Sequence, residues 1–171
     1  YITISGYSSV NRPYISVTYT VCTVGNPADF GDNQWNVYAY NGGNNTLNGN
    51  YAGYYTETAL SYNTLNRWTD VAAPSTASGY QGCPVTDDNH VVVSKRRGFP
   101  CGKYQLDMPN HDDDVRVYVD GVMVWEHVGC CDAHTNIWTG YLSTTSTVEV
   151  RHLDGAGGSH QSLTFVNVTP V

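Results

Sequence analysis

From Lys103 to His127 the chain changes face at almost every residue. KYQLDM sets Tyr104, Leu106 and Met108 against Gln105 and Asp107, and DVRVYV sets Val115, Val117 and Val119 against Arg116 and Tyr118. Asp120-Gly121 then supplies a tight turn and VMVWEH returns. A period of two gives each strand one apolar and one polar face, so the segment must lie in a sheet packed against something on one side. The same alternation appears in YISVTYTV (14–21) and in STVEVRHL and SLTFVNV, while HVVVSKRR (90–97) reads as a more central strand. A weak helical signal, of one or two turns, lies in TETALSYNTLNRW, where Leu60 and Leu65 are the candidate packing residues. Residues 41–86 read as a long connection rich in Gly, Asn, Thr and Ser with short strands embedded. The expected architecture is all-β, a two-sheet β-sandwich of jelly-roll type with long loops at one end.

With 171 residues the chain suits one compact unit. Charged residues make up 13% and the formal net charge is −7 with eight basic residues, which opposes broad nucleic-acid binding. The one basic cluster, Lys95-Arg96-Arg97, reads as the polar part of a strand. No stretch is apolar for long enough to suggest direct membrane insertion by a helix. A start at Tyr1 without Met suggests a module of a larger extracellular or cell-surface protein, its neighbouring domains among its partners. Two sequons, at Asn44 and Asn167, permit glycosylation in a eukaryotic secretory route.

The five cysteines (22, 83, 101, 130 and 131) fit neither a zinc finger nor a CxxC redox site, and structural disulfide bonds are the simplest expectation. Cys130 and Cys131 could join each other or pair elsewhere. Following strand direction puts Cys101 at the opposite end from both and makes Cys83 the better outside partner.

The same reasoning brings His111-Asp112-Asp113-Asp114, taken as a hairpin turn, to the end that holds CCDAH (130–134). Three adjacent carboxylates repel one another, so the turn is either well solvated or built around a cation. Calcium takes six to eight oxygens, and DGAGGSH, from Asp154, offers a further carboxylate and a flexible backbone. His111, His134 and His160 could instead join these acids at a transition metal, but surface or hydrogen-bonding roles are the simpler reading. Catalysis is not expected: Glu57, Glu126 and Glu149 form no recognisable pair, and no G-x-S-x-G elbow is present.

HDDDVRVYVDGVMVW resembles the core signature of the PA14 family, a β-sandwich found in bacterial toxins, glycosidases and adhesins and in yeast lectin-like adhesins. The aspartate pair falls on Asp112-Asp113, followed by VRVYVDG; GKYQLDMP resembles the strand before it and VEVRHLDGAGG the strand and loop after it, with a fainter echo in WNVYAYNG. The resemblance is strongest over about 100–166 and implies a PA14-like domain over 23–171, with 1–22 a leading strand or the end of a preceding segment. In the family's sugar-binding adhesins the aspartate pair is joined by a cis peptide and holds calcium, which binds sugar hydroxyls. Carried over, this implies Ca2+ held by Asp112, Asp113, Asp154 and the carbonyls of Ala156 and Gly158. The function implied is that of a calcium-dependent carbohydrate-binding, lectin-like module for a mono- or oligosaccharide, such as a cell-surface glycan or polysaccharide. Residues 130–138 would then wall the pocket, with Trp138 stacked on a sugar face and His134 hydrogen-bonded to a hydroxyl; core packing is the default role for each aromatic, and Trp125 is placed there. The alternative is a structural or protein-binding adhesin module in which calcium rigidifies loops. Asp114, CCDAH and FPCG depart from the family pattern.

Overall fold

The computed structural model describes residues 24–44 and 46–169, with short strand segments at 2–3 and 16–17. Strands β1 (Ile2–Thr3) and β2 (Ser16–Val17) pair antiparallel. The rest of the strand expected over 14–21, Cys22 and the boundary at residue 22 lie outside the described residues.

Two sheets form a sandwich. The larger contains β4 (Trp35–Asn41), β5 (Asn50–Glu57), β7 (Gln81–Gly82), β8 (His90–Arg97), β10 (Asp114–Val119), β11 (Val122–His127) and β13 (Thr147–Asp154), in the order β11-β10-β13-β8-β4-β5-β7. A short strand, β3 (Gly31–Asp32), adds a parallel pairing to β8. The smaller sheet has the order β12-β9-β14-β6, from β6 (Tyr62–Asn63), β9 (Gly102–Asp112), β12 (His134–Leu142) and β14 (His160–Asn167).

Alternation builds the core. Val115, Val117 and Val119 of β10 and Val148 and Val150 of β13 join Tyr104, Leu106 and Met108 of β9 and Leu163 and Phe165 of β14 in one buried cluster. Each such side chain contributes about 1.5–3 kcal/mol when fully removed from water. Trp35 lies at the centre, its indole N–H donating to the carbonyls of Ala59 and Leu60, both at 3.0 Å. Strand β8 is buried on both faces, because Val91 and Val93 pack with Tyr38 and Tyr40 in a second cluster on the side away from Val92.

Three local expectations change. Residues 50–57, read as part of a connection, form a full strand; its tyrosines pack rather than alternate with polar residues, so the period-two signal is missing. The weak helix is a single 3-10 turn at Thr64–Asn66, capped by the Asn63 side chain, and Leu65 is exposed while Leu60 packs on the core. The aspartates do not sit at the mouth of a hairpin. Strand β9 has β12 and β14 on its two edges and β10 has β11 and β13, so neither has an edge left for the other. The chain instead crosses from the small sheet to the large one at Asp112–Asp114.

Two irregularities set what faces inward near that crossing. Residues 108–109 of β9 oppose the single residue Leu163 of β14, a bulge at Pro109, where proline has no N–H to give the ladder. The buried face therefore runs from Met108 to His111, an odd step, and His111 turns fully inward. On the other side, His134 of β12 pairs with Met108 and Trp138 with Leu106, so three residues of β12 oppose Asp107. Asn136, at φ 53°, makes that bend and donates its N–H to Asp107 Oδ1 at 2.6 Å.

Candidate functional site

The Asp112-Asp113 peptide is cis. Both carboxylates meet the loop that follows β13. Gly155 N–H donates to Asp113 Oδ2 at 2.8 Å, and a Cβ at Gly158 would lie 2.7 Å from Asp112 Oδ2, so a side chain there would displace the carboxylate or the loop. Asp154 closes the large-sheet side. It is fully buried; its Oδ2 accepts from Asn89 N–H at 3.1 Å, and its Oδ1 has no partner. Two further acids border the same loop: Asp88 accepts from Gly157 N–H at 3.0 Å, and Asp70 Oδ1 would lie 3.1 Å from a Cβ at Gly158.

All six histidines of the chain lie at this end. His152 Nε2–H donates to the carbonyl of Asp112, and His111 Nδ1–H donates to that of Asp113 at 2.6 Å, so two buried imidazoles hold the crossing by its backbone. His90 donates from Nδ1 to Thr86 O at 3.0 Å and accepts at Nε2 from the Ser159 hydroxyl at 2.8 Å, while His160 pairs with Asp70. Burial pushes His152 down to about 3 and lowers His90 and His111 as well, so these rings are neutral donors at neutral pH.

The acids behave in the opposite way. Burial, then the nearby charges of Asp113, Asp88 and Asp112, pushes Asp154 up to about 7. Asp112 is also raised, by burial and then by its neighbour Asp113. Carboxylates crowded and desolvated to this degree, one with a buried unpartnered oxygen, have no lysine or arginine ion pair among the described residues. That arrangement suits a hard cation with oxygen ligands.

Among the described residues, two groups of three side chains bring their ligand atoms within 4.8 Å of one another: His111, His127 and His134, and Asp112 with Cys130 and Cys131. Asp112, Asp113 and Asp154 do not form such a group. Ala156 is exposed at the tip of the loop after β13, and Gly158 lies against Asp112.

His134 is not aimed at the acidic rim; it packs against His111 and His127 at ring separations of 5.4 and 4.4 Å. Trp138 lies farther from the acidic rim than His134. Its strand partner is Leu106, six residues and about 20 Å along β9 from Asp112, and it packs on the core with its indole lying over Gly140. Trp125 packs against the core and stands 5.0–6.1 Å from the three imidazoles. Residues missed in the sequence are His127, His152 and His90, together with Asp70 and Asp88.

The 128–133 loop does reach the acidic end, where Gly129 N–H donates to Asp114 Oδ1 at 2.7 Å. Cys130 and Cys131 form a close pair with each other, and Cys83 is not part of it. Cys101 is exposed and free.

Other constellations do not compete for the chemistry. Ser159, His90 and Asp154 stand in triad order, but Ser159 is fully buried, His90 gives its Nδ1 proton to Thr86, and Asp154 Oδ2 is 3.6 Å away. Each glutamate is engaged by a basic neighbour: Glu57 by Arg67, Glu126 by Arg116, and Glu149 by Lys95 and Arg151. A surface hollow of about 280 Å³ is lined by Ser61, Tyr62, Asn63, Asn66, Pro109, Ser162 and Thr164, none of them acidic or histidine.

No family model matches the sequence. No curated protein matches it either. Solved structures do match in fold. The PA14 sugar-binding domain of an RTX adhesin aligns at TM-score 0.58 and 16% identity, over 78% of this chain and 89% of that one. The PA14 domain of the MpAFP antifreeze protein aligns at TM-score 0.54 and 14% identity, over 84% and 88%. A GH31 alpha-xylosidase from Xanthomonas citri aligns at TM-score 0.51 and 16% identity, over 81% of this chain but 14% of the enzyme. The fold is PA14-like.

Proposed function

We propose that this chain is a calcium-dependent carbohydrate-binding module of an extracellular or cell-surface protein. The observation that carries the reading is the buried Asp154 carboxylate with an unpartnered oxygen, set beside the Asp112-Asp113 pair on one glycine-rich loop. Sugar binding by the RTX adhesin domain, which shares the fold, supports the same reading.

Asp112, Asp113 and Asp154 would hold the ion, with the Ala156 and Gly158 carbonyls completing its shell. Calcium so held would offer open coordination positions to a pair of neighbouring sugar hydroxyls. Everything else is the work of the chain. His152 and His111 fix the carbonyls of the aspartate pair, and Gly155 N–H orients Asp113. Asn89 N–H orients Asp154, leaving its other oxygen for the ion. Cys130 and Cys131, exposed and within 4.8 Å of Asp112, make a compact apolar wall for the C–H face of a sugar. Adjacent bonded cysteines also fit an oxidising, extracellular setting.

A structural or protein-binding module is the second reading, favoured by Val122, Met123 and Val128, exposed along the β11 edge. Glycan-array binding in calcium and in chelator separates the two. Signal that vanishes in chelator and in the Asp113→Asn variant supports the lectin reading. Calcium uptake with no glycan signal in either condition moves the assignment to the structural module.

A further inference from the structure

The three imidazoles beside the acidic rim pose a separate problem. His111 Nε2, His127 Nδ1 and His134 Nε2 are each shut off from water, and none has a hydrogen-bond partner. A buried polar atom left unpaired is costly, and stacking of the rings satisfies none of these nitrogens. All three belong to the group whose ligand atoms lie within 4.8 Å of one another. We propose that His111, His127 and His134 form a second metal site, built of imidazole nitrogens for Zn2+ or a similar transition-metal ion, which pins the two sheets together at their open edge.

Geometry supports the assignment. With Zn–N bonds of 2.0–2.1 Å and tetrahedral angles, the centroids of two bound imidazoles stand about 5 Å apart. The observed separations are 4.9 Å for His111–His127, 5.4 Å for His111–His134 and 4.4 Å for His127–His134. His111 is also set in the required tautomer. Its Nδ1–H donates to the Asp113 carbonyl at 2.6 Å, which leaves the lone pair on Nε2, and metal-bound histidines are oriented by such a bond from the other ring nitrogen.

Each ligand comes from a different strand: His111 from β9 and His134 from β12 in the small sheet, and His127 from the edge strand β11 of the large one. Trp125 closes one side, 5.0–6.1 Å from the rings. Three protein ligands leave a fourth position for water. Imidazole nitrogens favour zinc, copper or nickel over calcium, so this site and the carboxylate rim select different ions. His111 joins them, because it ligates here and holds the Asp113 backbone there.

The test uses tag-free, chelator-stripped protein titrated with Co2+, whose four-coordinate complexes absorb strongly in the visible, followed by displacement with Zn2+. One equivalent of Co2+ with intense bands, displaced by one equivalent of Zn2+, is expected. His127→Ala and His134→Ala, both on half-exposed edge positions, should each weaken binding at least tenfold, and His127→Ala should leave the calcium titration unchanged. Absence of saturable Co2+ or Zn2+ binding by the wild-type chain overturns the site, whatever the variants do. Binding that both variants retain at wild-type strength overturns it equally.

Discussion

The acidic rim and the imidazole cluster share one end of the sandwich and treat their polar groups in opposite ways. In the rim, loop N–H groups of Asn89, Gly155 and Gly157 already engage Asp154, Asp113 and Asp88, and one buried oxygen is left over. In the cluster, three buried ring nitrogens have no partner, and each ring brings a ligand atom within 4.8 Å of the other two. Backbone donors soften the crowd of carboxylates, whereas none reaches the unpaired imidazole nitrogens. The two proposed sites, oxygen ligands by a loop and nitrogen ligands on strands, meet at His111, which holds the Asp113 carbonyl.

The largest effect should come from breaking that coupling. His111→Ala removes a fully buried ring and leaves the Asp113 carbonyl without its donor. A loss of about 2–4 kcal/mol in urea denaturation is expected, with transition-metal binding abolished and calcium affinity lowered about tenfold. If calcium affinity is untouched, the two sites are independent and the comparison loses its link.

The next test isolates the rim by pH. The folded Asp154 carboxyl titrates near 7, above its ordinary value, so between about pH 4 and 7 the folded state holds a proton that the unfolded state has released. Stability from this group is therefore present at low pH and lost as pH rises through 7. The Asp154→Asn side chain cannot ionise. In chelator, the melting temperature of that variant should gain on wild type between pH 5 and 8, and saturating calcium at pH 8 should reverse the order. A gap that does not change with pH removes the unbalanced charge from the account. The same proton competes with the ion, so wild-type calcium affinity should fall as pH drops below 7.

These sites were unequally legible in the sequence. Asp112 and Asp113 are contiguous, and their place before an alternating strand is visible by eye. Strands β9, β10 and β13 announce themselves because one face of each is buried and the other is partly exposed. Strand β5 does not, since tyrosine packs on both sides of it. His127 and His134 flank one loop, and the strand-direction reasoning that brought residues 130–134 to the acidic end applies equally to both. What no alternation pattern shows is the parity change at Pro109 and the three-residue bend opposite Asp107, which together turn His111 and His134 toward each other. The place of Trp138 is hidden for the same reason: it depends on register with Leu106, which the bend sets.

The smallest effect on binding belongs to Trp138→Ala. Its indole packs on the core about 20 Å from the aspartate pair, so glycan and calcium affinities should stay within about twofold of wild type while stability falls by roughly 1–3 kcal/mol. A selective loss of glycan binding would return Trp138 to the sugar pocket.

Calorimetric titration of calcium into chelator-stripped protein, with a thermal melt at each end, tests the central claim most directly. One saturable site and a higher melting temperature in calcium are predicted, with both absent in Asp113→Asn. No heat of binding and no shift in melting would leave a PA14-like sandwich whose acidic rim holds no ion, and would contradict the calcium-dependent account.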